Sequence, residues 1–297
     1  MLYLLAGVLA NVFIFLSLRT FSIFKIDNLQ AIAINYFVCV ITGFFFVDDF
    51  SSLEAINFTE AWSWIAIFIG FLLVMGFYAA SITAQKMGVS ITSVSSKVSM
   101  VFPILFSLLF LKIESKDFSF FNYFGMFLAV FSIFLGSLRE DHIKSNDLSK
   151  ISMFLLPFAV FAIGGLIDIS VNYSNYRLIN EGNAAAFPIV LFGSAALIGV
   201  FLLLFQKNKF EKKSLIGGLY LGVFNYLSLF FVLKGLSAFQ NNGAVFYPIY
   251  NVGTILLSSF LAMIIFRERL SKINYLGLGL SIIALFLLSY QEIIDYF

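Results

Sequence analysis

Apolar stretches of about twenty residues alternate with short polar connections along the whole chain. The stretches lie near residues 2–18, 30–47, 63–84, 89–111, 119–138, 151–173, 183–205, 215–233, 242–266 and 273–290. A helix needs roughly 20 apolar residues to cross the hydrocarbon of a bilayer. The runs are continuous, which excludes the alternating strands of a membrane β-barrel. The pattern therefore predicts an all-α polytopic membrane protein with ten transmembrane helices.

Composition supports a lipid-facing exterior. Hydrophobic residues make up 61% of the 297 positions and charged residues only 11%, whereas soluble domains carry about a quarter charged residues. The net charge of +2 does not indicate nucleic acid as a partner. The sequence contains no metal-ligand cluster, phosphate loop or nucleophile–base arrangement, so we expect no metal, no cofactor and no enzymatic activity. The first apolar run lacks the features of a signal peptide, and we expect it to remain as a span.

Two segments of the chain share an ordered set of motifs. Leu111-Lys-Ile-Glu114 and Asn122-Tyr-Phe-Gly125 come before the fifth apolar helix, while Phe266-Arg-Glu268 and Asn274-Tyr-Leu-Gly277 come before the tenth. This order predicts two five-helix repeats around a central cavity. The expected boundaries are 1–138 for the first repeat, 139–150 for the connecting loop and 151–297 for the second repeat.

The distribution of charge predicts that the two repeats are inverted. Thirteen of the eighteen Lys and Arg residues lie in the odd-numbered connections and four in the even-numbered ones. The connection after the second helix is acidic, while its counterpart after the seventh is basic, as inverted repeats should be. We therefore expect a bacterial inner-membrane protein with its odd-numbered connections in the cytoplasm and both termini outside.

Lys97 lies near mid-depth of the fourth predicted span. An ionisable group at this depth is costly, which makes it a functional candidate. Ser93 and Ser96 belong to the same polar half of the helix. An ammonium among hydroxyl groups suits the carboxylate or phosphate of a substrate, so we predict that these three residues bind substrate. The alternative is a lysine that extends its ammonium to the interface or binds a backbone carbonyl.

Asp168 lies about two thirds of the way along the sixth span, on one face with Gly164 and Asn172. A carboxylate inside a span can take up and release a proton during a transport cycle, so we predict a role in proton coupling. A structural carboxylate that is hydrogen-bonded near the outer interface is the alternative. An ion pair with Lys97 also stays open, although the two depths differ by about 10 Å at about 1.5 Å per residue.

The ninth span carries Tyr247, Tyr250 and Asn251 at helical spacing. They face something polar, which is either the predicted cavity or a neighbouring helix; we predict the cavity. Asn251 corresponds to Lys97 in the repeat, and sites in inverted-repeat transporters lie between the halves near the midplane. Further candidates for the cavity are single polar residues that elsewhere often only hold helices together, namely Asn11, Tyr78 and Tyr226.

The last two predicted helices resemble those of small multidrug resistance proteins. The similar stretch runs from Tyr247-Pro-Ile-Tyr-Asn-Val-Gly253 through Phe266-Arg-Glu-Arg-Leu270 to Gly277. With its five plus five inverted helices, the chain resembles the drug/metabolite transporter superfamily. The first helix is also similar, but Asn11 stands where those proteins carry a glutamate that exchanges protons for drug. When the two repeats are aligned with an offset of 157 residues, Asn11 of the first repeat corresponds to Asp168 of the second. The resemblance implies a ten-helix basket that works by alternating access.

One principal hypothesis and two alternatives follow. The principal hypothesis is a secondary active transporter, an exporter, of a small zwitterionic or anionic metabolite such as an amino acid, with protons or sodium as candidate coupling ions. One alternative is a multidrug exporter of hydrophobic cations, which a lysine at mid-membrane disfavours. The other is a non-transporting membrane scaffold with a filled interior. The expected partners are the small-molecule substrate and the lipid bilayer.

Overall fold

The computed structural model describes residues 2–45, 56–106, 119–137, 150–180, 186–206, 208–239 and 243–296. The regular structure of these ranges is entirely helical. The helices are α1 (Leu2–Ile23), α2 (Asn28–Phe45), α3 (Ala61–Met87), α4 (Val89–Val98), α5 (Val101–Phe106), α6 (Phe120–Ser137), α7 (Lys150–Arg177), α8 (Ala186–Leu204), α9 (Lys212–Ala238), α10 (Gly243–Ile265), α11 (Lys272–Leu288) and α12 (Tyr290–Tyr296). The predicted connecting loop, except Lys150, lies outside the described residues, as do most of the acidic connection after α2 and positions 107–111 of the fourth predicted span.

The helices are long and apolar, as expected of a membrane protein. Within the described ranges, seven of them meet the length and hydropathy needed to cross a bilayer, and α6 and α11 are apolar but shorter. The predicted all-α membrane class is therefore confirmed. The seven lie in α1, α2, α3, α7, α8, α9 and α10.

The fourth predicted span is not one continuous helix. Helix α4 ends at Val98 and α5 begins at Val101, so the helix is interrupted at Ser99 and Met100. Pro103 has no N–H to donate to the Ser99 carbonyl, and that carbonyl instead accepts from the Phe102 N–H at 2.9 Å. The break comes directly after Lys97 in sequence.

Helices α6 and α11 pack against each other through reciprocal contacts at their ends. The Asn122 amide donates to the Leu288 carbonyl at 3.1 Å, and the Asn274 amide donates to the Leu135 carbonyl at 3.2 Å. Asn274 also forms a capping box with Ser271. Helix ends leave backbone groups without helical partners, and lipid cannot supply any. Each helix thus begins by capping the end of the other, which makes the pair antiparallel.

The other long helices pack mainly against one another. Helix α1 packs on α9 and α10, α2 on α8 and α9, and α3 on α7 and α8. Helix α4 lies between α10 and α7. The residues of α4 up to Ser95 are buried, so the break after Lys97 lies inside the bundle.

Polar contacts join the odd-numbered connections at one end of the bundle. Gln206 Nε2 donates to Asp27 Oδ2 at 2.5 Å, Gln85 Nε2 to Asn28 Oδ1 at 2.7 Å, and the Val89 N–H to Glu268 Oε1 at 2.8 Å. Connections one and seven therefore meet, as do one and three, and three and nine. Arg19 donates to the Ala84 and Gln85 carbonyls. Because these contacts hold the helix ends, α1 extends to Ile23, beyond the predicted limit at residue 18.

The reciprocal caps lead to a stability prediction. We expect Asn274→Ala to lower the free energy of unfolding by about 1–2 kcal/mol, since it removes both the cap and the bond to the Leu135 carbonyl. Asn274→Asp keeps the acceptor for Ser271 but places a carboxylate oxygen against the Leu135 carbonyl, so its loss should be at least as large. Unfolding of the purified variants in detergent measures both changes, and equal stability of all three proteins would contradict the role given to the caps.

Candidate functional site

Lys97 lies in the last turn of α4, where its ammonium faces two aromatic rings. The Nζ atom is 4.9 Å from the centroid of the Tyr250 ring and 5.9 Å from that of Phe15. Both distances are within the range of a cation–π contact. A helix C-terminus also favours a cation in its last turn. Among the described residues, no carboxylate oxygen lies within 4.0 Å of this ammonium.

A chain of hydrogen bonds fixes the Tyr250 ring. The Tyr250 hydroxyl and Ser228 Oγ are 3.2 Å apart, and the Asn11 amide donates to the same Oγ at 3.1 Å. Both Tyr250 and Ser228 are buried. Gly7, one turn before Asn11, packs on the edge of the Tyr250 ring. Helices α1, α9 and α10 thus hold in place the ring on which the Lys97 ammonium rests.

Asp168 is attached to the break between α4 and α5. Its Oδ2 accepts from Ser99 Oγ at 2.8 Å, and the carboxylate is partly exposed. Gly164 lies one turn earlier on α7, where a Cβ atom would be 3.1 Å from Ser99 Oγ. The predicted face that joins Gly164 and Asp168 is therefore the face that contacts the break.

Lys97 and Asp168 lie on packed helices but do not form an ion pair. Their charged atoms are more than 4.0 Å apart, so the direct pair that the sequence left open is absent. They are still close enough to interact electrostatically, and the Tyr247 hydroxyl is also within the field of Asp168. The site therefore holds two separated charges of opposite sign, each with a neutral partner.

Helix α10 contributes a third group to the same region. The Asn251 amide donates to Met100 Sδ at 3.3 Å, so it faces the break from the opposite side. Tyr247 is 39% exposed and leaves this part of α10 accessible. Of the predicted residues, the structure therefore brings together Lys97, Asp168, Tyr250 and Asn251, with Asn11 linked through Ser228.

Four other predicted residues lie differently. Ser93 is buried, and its hydroxyl donates to the Ser90 carbonyl of its own helix. The Ser96 side chain is partly exposed, next to Lys97 in sequence. Tyr78 is exposed on α3 and Tyr226 partly exposed on α9. The two rings under the Lys97 ammonium are those of Tyr250 and Phe15.

Sequence reasoning missed Phe15, Ser228, Met100 and the pairing of Ser99 with Asp168. Phe15 follows Asn11 by one helical turn, so helical spacing alone was a usable signal for it. Ser228 is 217 residues from its partner Asn11, and nothing in the local sequence distinguishes it from other serines in spans. The Ser99 bond depends on the helix break, which the apolar pattern does not reveal.

Comparisons with known proteins show a relative and a shared fold. No family model matches the chain. A Haemophilus influenzae protein described as "Uncharacterized protein" is 29% identical over 269 residues, which cover 89% of each chain. A solved structure described as "Crystal structure of protein" has a TM-score of 0.55 and 13% identity, covering 97% of this chain and 98% of the other. At that identity the likeness concerns the fold alone.

The close approach at Gly164 gives a prediction with a matched control. Gly164→Ala should displace Ser99 and weaken its bond to Asp168, so its free energy of unfolding should be about 1 kcal/mol lower than that of the control below. Gly193 also lies in a helix but has no neighbouring atom within 4 Å of an added Cβ. Gly193→Ala should therefore be neutral or stabilise by up to about 1 kcal/mol. Unfolding in detergent compares the two, and equal effects would contradict the close contact.

Proposed function

We propose that this protein is a secondary active transporter, with export as its direction, for a small zwitterionic or anionic metabolite. One observation carries the proposal: an ammonium without a carboxylate partner among the described residues, next to a helix break inside a bundle of membrane-spanning helices. Transporter sites are typically built from discontinuous helices near the bilayer midplane. In the proposed cycle, Lys97 binds the acidic group of the substrate and the protein works by alternating access.

The energetics favour a ligand over a purely structural lysine. A lysine at the centre of a span costs about 2.5–3.5 kcal/mol on the insertion scale. Cation–π contacts with Tyr250 and Phe15 return about 0.5–2 kcal/mol. The cation–π contacts therefore return less free energy than it costs to place the Lys97 ammonium inside the membrane. A substrate carboxylate would supply the missing countercharge, and Tyr250 and Asn251 would border it.

Ten spans in two inverted repeats are part of this proposal. In it, α4, α5 and the residues after Phe106 form the fourth span, and α6 and α11 form the fifth and tenth. The packing supports this, because exchanging the halves exchanges the contacts. Helix α1 packs on α9 and α10, while its counterpart α7 packs on their counterparts α3 and α4.

Hydrogen bonds between α6 and α11 support the same relation. Adding 152 to Asn122 gives Asn274, and adding it to Leu135 gives Leu287. Asn274 donates to the Leu135 carbonyl at 3.2 Å, and Asn122 donates to the Leu287 carbonyl at 3.4 Å. The two bonds therefore exchange when the halves exchange. The proposed fold agrees with the resemblance to the drug/metabolite transporter superfamily, and membership of this superfamily is part of the proposal.

Orientation in a bacterial inner membrane is also proposed. The connections that meet at one end of the bundle are, among the described residues, the first, third, seventh and ninth. They hold ten of the eighteen basic residues and would face the cytoplasm. We expect Lys209→Cys, in a Cys39→Ser background, to be protected from a membrane-impermeant thiol reagent in intact cells. Thr59→Cys, at the opposite end, should react. The reverse result would contradict the orientation, and reaction of both would contradict the sidedness of the connections.

The transport role can be tested with the purified protein. A thermal-shift screen against metabolite classes identifies ligands, because a ligand stabilises the state that it binds. In proteoliposomes, Lys97→Ala should reduce uptake of the ligand at least about tenfold, since a charged hydrogen bond contributes about 1.5–3 kcal/mol. Lys234→Ala is the matched control, because Lys234 also lies over a ring, Phe230, but is exposed. Wild-type uptake by Lys97→Ala would remove the proposed role.

Tyr250 offers a finer control on the same site. Tyr250→Phe keeps the ring face but loses the bond to Ser228, whereas Tyr250→Leu loses both. We therefore expect the leucine variant to be impaired more strongly in uptake than the phenylalanine variant.

Asp168 keeps its proposed role in proton coupling, which predicts that Asp168→Asn transports without accumulating substrate in a proton gradient.

The two alternatives predict different results. A multidrug exporter would confer resistance to hydrophobic cations on a sensitive host, but a fixed ammonium repels such cations. A scaffold would have a filled interior, so Ser96→Cys and Asn251→Cys would not react with water-soluble thiol reagents. Reaction at either position supports the transporter.

A further inference from the structure

The separation of Lys97 and Asp168 needs an explanation. Unit charges 4 Å apart attract by about 4 kcal/mol at an effective dielectric constant of 20. Opposite charges on packed helices are therefore expected to pair directly. Instead, the Lys97 ammonium lies over the Tyr250 ring, and the Asp168 carboxylate accepts from Ser99.

Neutral groups keep each charge in its place. The Tyr250 ring is held by Ser228 and Asn11, and Ser99 is held against α7 by its contact with Gly164. Both charged side chains remain partly exposed. Two fixed poles of opposite sign thus lie on the packed helices α4 and α7.

We propose that the substrate is a zwitterion of the amino-acid class, whose carboxylate binds Lys97 and whose ammonium group binds Asp168. This inference rests on the proposed transport function and narrows its choice between zwitterionic and anionic cargo. The substrate takes the position between the poles that a direct ion pair would otherwise fill.

Charge balance favours the zwitterion over ions of either sign. Lys97 and Asp168 contribute one positive and one negative group, so their charges sum to zero. A zwitterion satisfies both groups and leaves the net charge at zero. An anion satisfies Lys97 but leaves Asp168 without a countercharge, and a cation does the reverse. An uncompensated charge away from water costs several kcal/mol.

In the zwitterion model a proton binds Asp168 only while no substrate is bound, which keeps the proposed coupling role. The competing explanation is an anion that is carried together with a proton. In that case Asp168 would be neutral whenever the anion is bound. The two explanations differ in what the carboxylate recognises: the ammonium group of the substrate or a proton alone. They therefore predict different preferences among analogues that differ only in charge.

The experiment compares matched sets of three molecules. Each amino acid that stabilises the wild-type protein is compared with its deaminated acid and its decarboxylated amine, for example leucine with isocaproate and isoamylamine. Binding is measured by thermal shift and transport by competition for uptake in proteoliposomes. The wild-type protein should prefer the zwitterion over both analogues by about tenfold or more, the equivalent of one charged hydrogen bond. This comparison does not depend on any variant.

Charge-neutral variants then test each pole separately. Asp168→Asn should lose the preference for the zwitterion and gain preference for the acid, while Lys97→Gln should shift preference to the amine. Glu211→Gln and Lys234→Gln, at exposed positions, are the matched controls and should keep the wild-type order. Unfolding without ligand shows that each variant is folded.

The results that would overturn the zwitterion inference differ from those that would overturn the transport function. If the wild-type protein prefers the acid and Asp168→Asn keeps that order, the zwitterion inference is overturned, while the transport function stands with an anionic cargo. If no amino acid, acid or amine binds or moves, both proposals are overturned.

Discussion

An ammonium placed inside a membrane-spanning bundle is the constraint on which the site depends. Lipid offers it no countercharge and no water. Weaker interactions stabilise the ammonium instead, with the ring faces of Tyr250 and Phe15 and with the C-terminal end of α4. These stabilise the cation without neutralising it. Because the Lys97 ammonium is not neutralised, it retains most of its attraction for an anion. The surrounding hydrogen bonds hold its neutral partners in place.

The same shortage of water governs the ends of the helices. Asn122 and Asn274 cap each other's helices, Arg19 binds carbonyls at the end of α3, and Glu268 accepts from the first N–H groups of α4. The Glu268 carboxylate fits because Gly88 has φ of 105° and no side chain in its way. Residues that are distant in sequence thus complete each other's backbone hydrogen bonds.

Sequence reasoning succeeded where a single helix carries the information. Apolar runs predicted the helical class, which the structure confirms. The rarity of charge inside spans singled out Lys97 and Asp168, whose functional roles stay predictions. Sequence reasoning failed where a feature depends on contacts between two helices. Pro103 alone indicates a bend in the fourth span. The bond of Ser99 to Asp168 joins α4 to α7, and the support of Tyr250 by Ser228 joins α9 to α10. The limits of α1 were also too short, because Arg19 finds its partners on α3. Periodicity records one face of a helix but not the helix that covers it.

The proposed relation between the halves gives the two charges a further meaning. Asn251 is the counterpart of Lys97, and Asn11 is the counterpart of Asp168. Each charge is therefore matched by a neutral amide in the other half. If both halves kept the same charges, the site would hold two lysines and two aspartates and would accept cargo equally in two orientations. Replacing one of each by asparagine leaves a single positive pole and a single negative pole. A site of this kind has a direction, so it suits a molecule with two unlike ends.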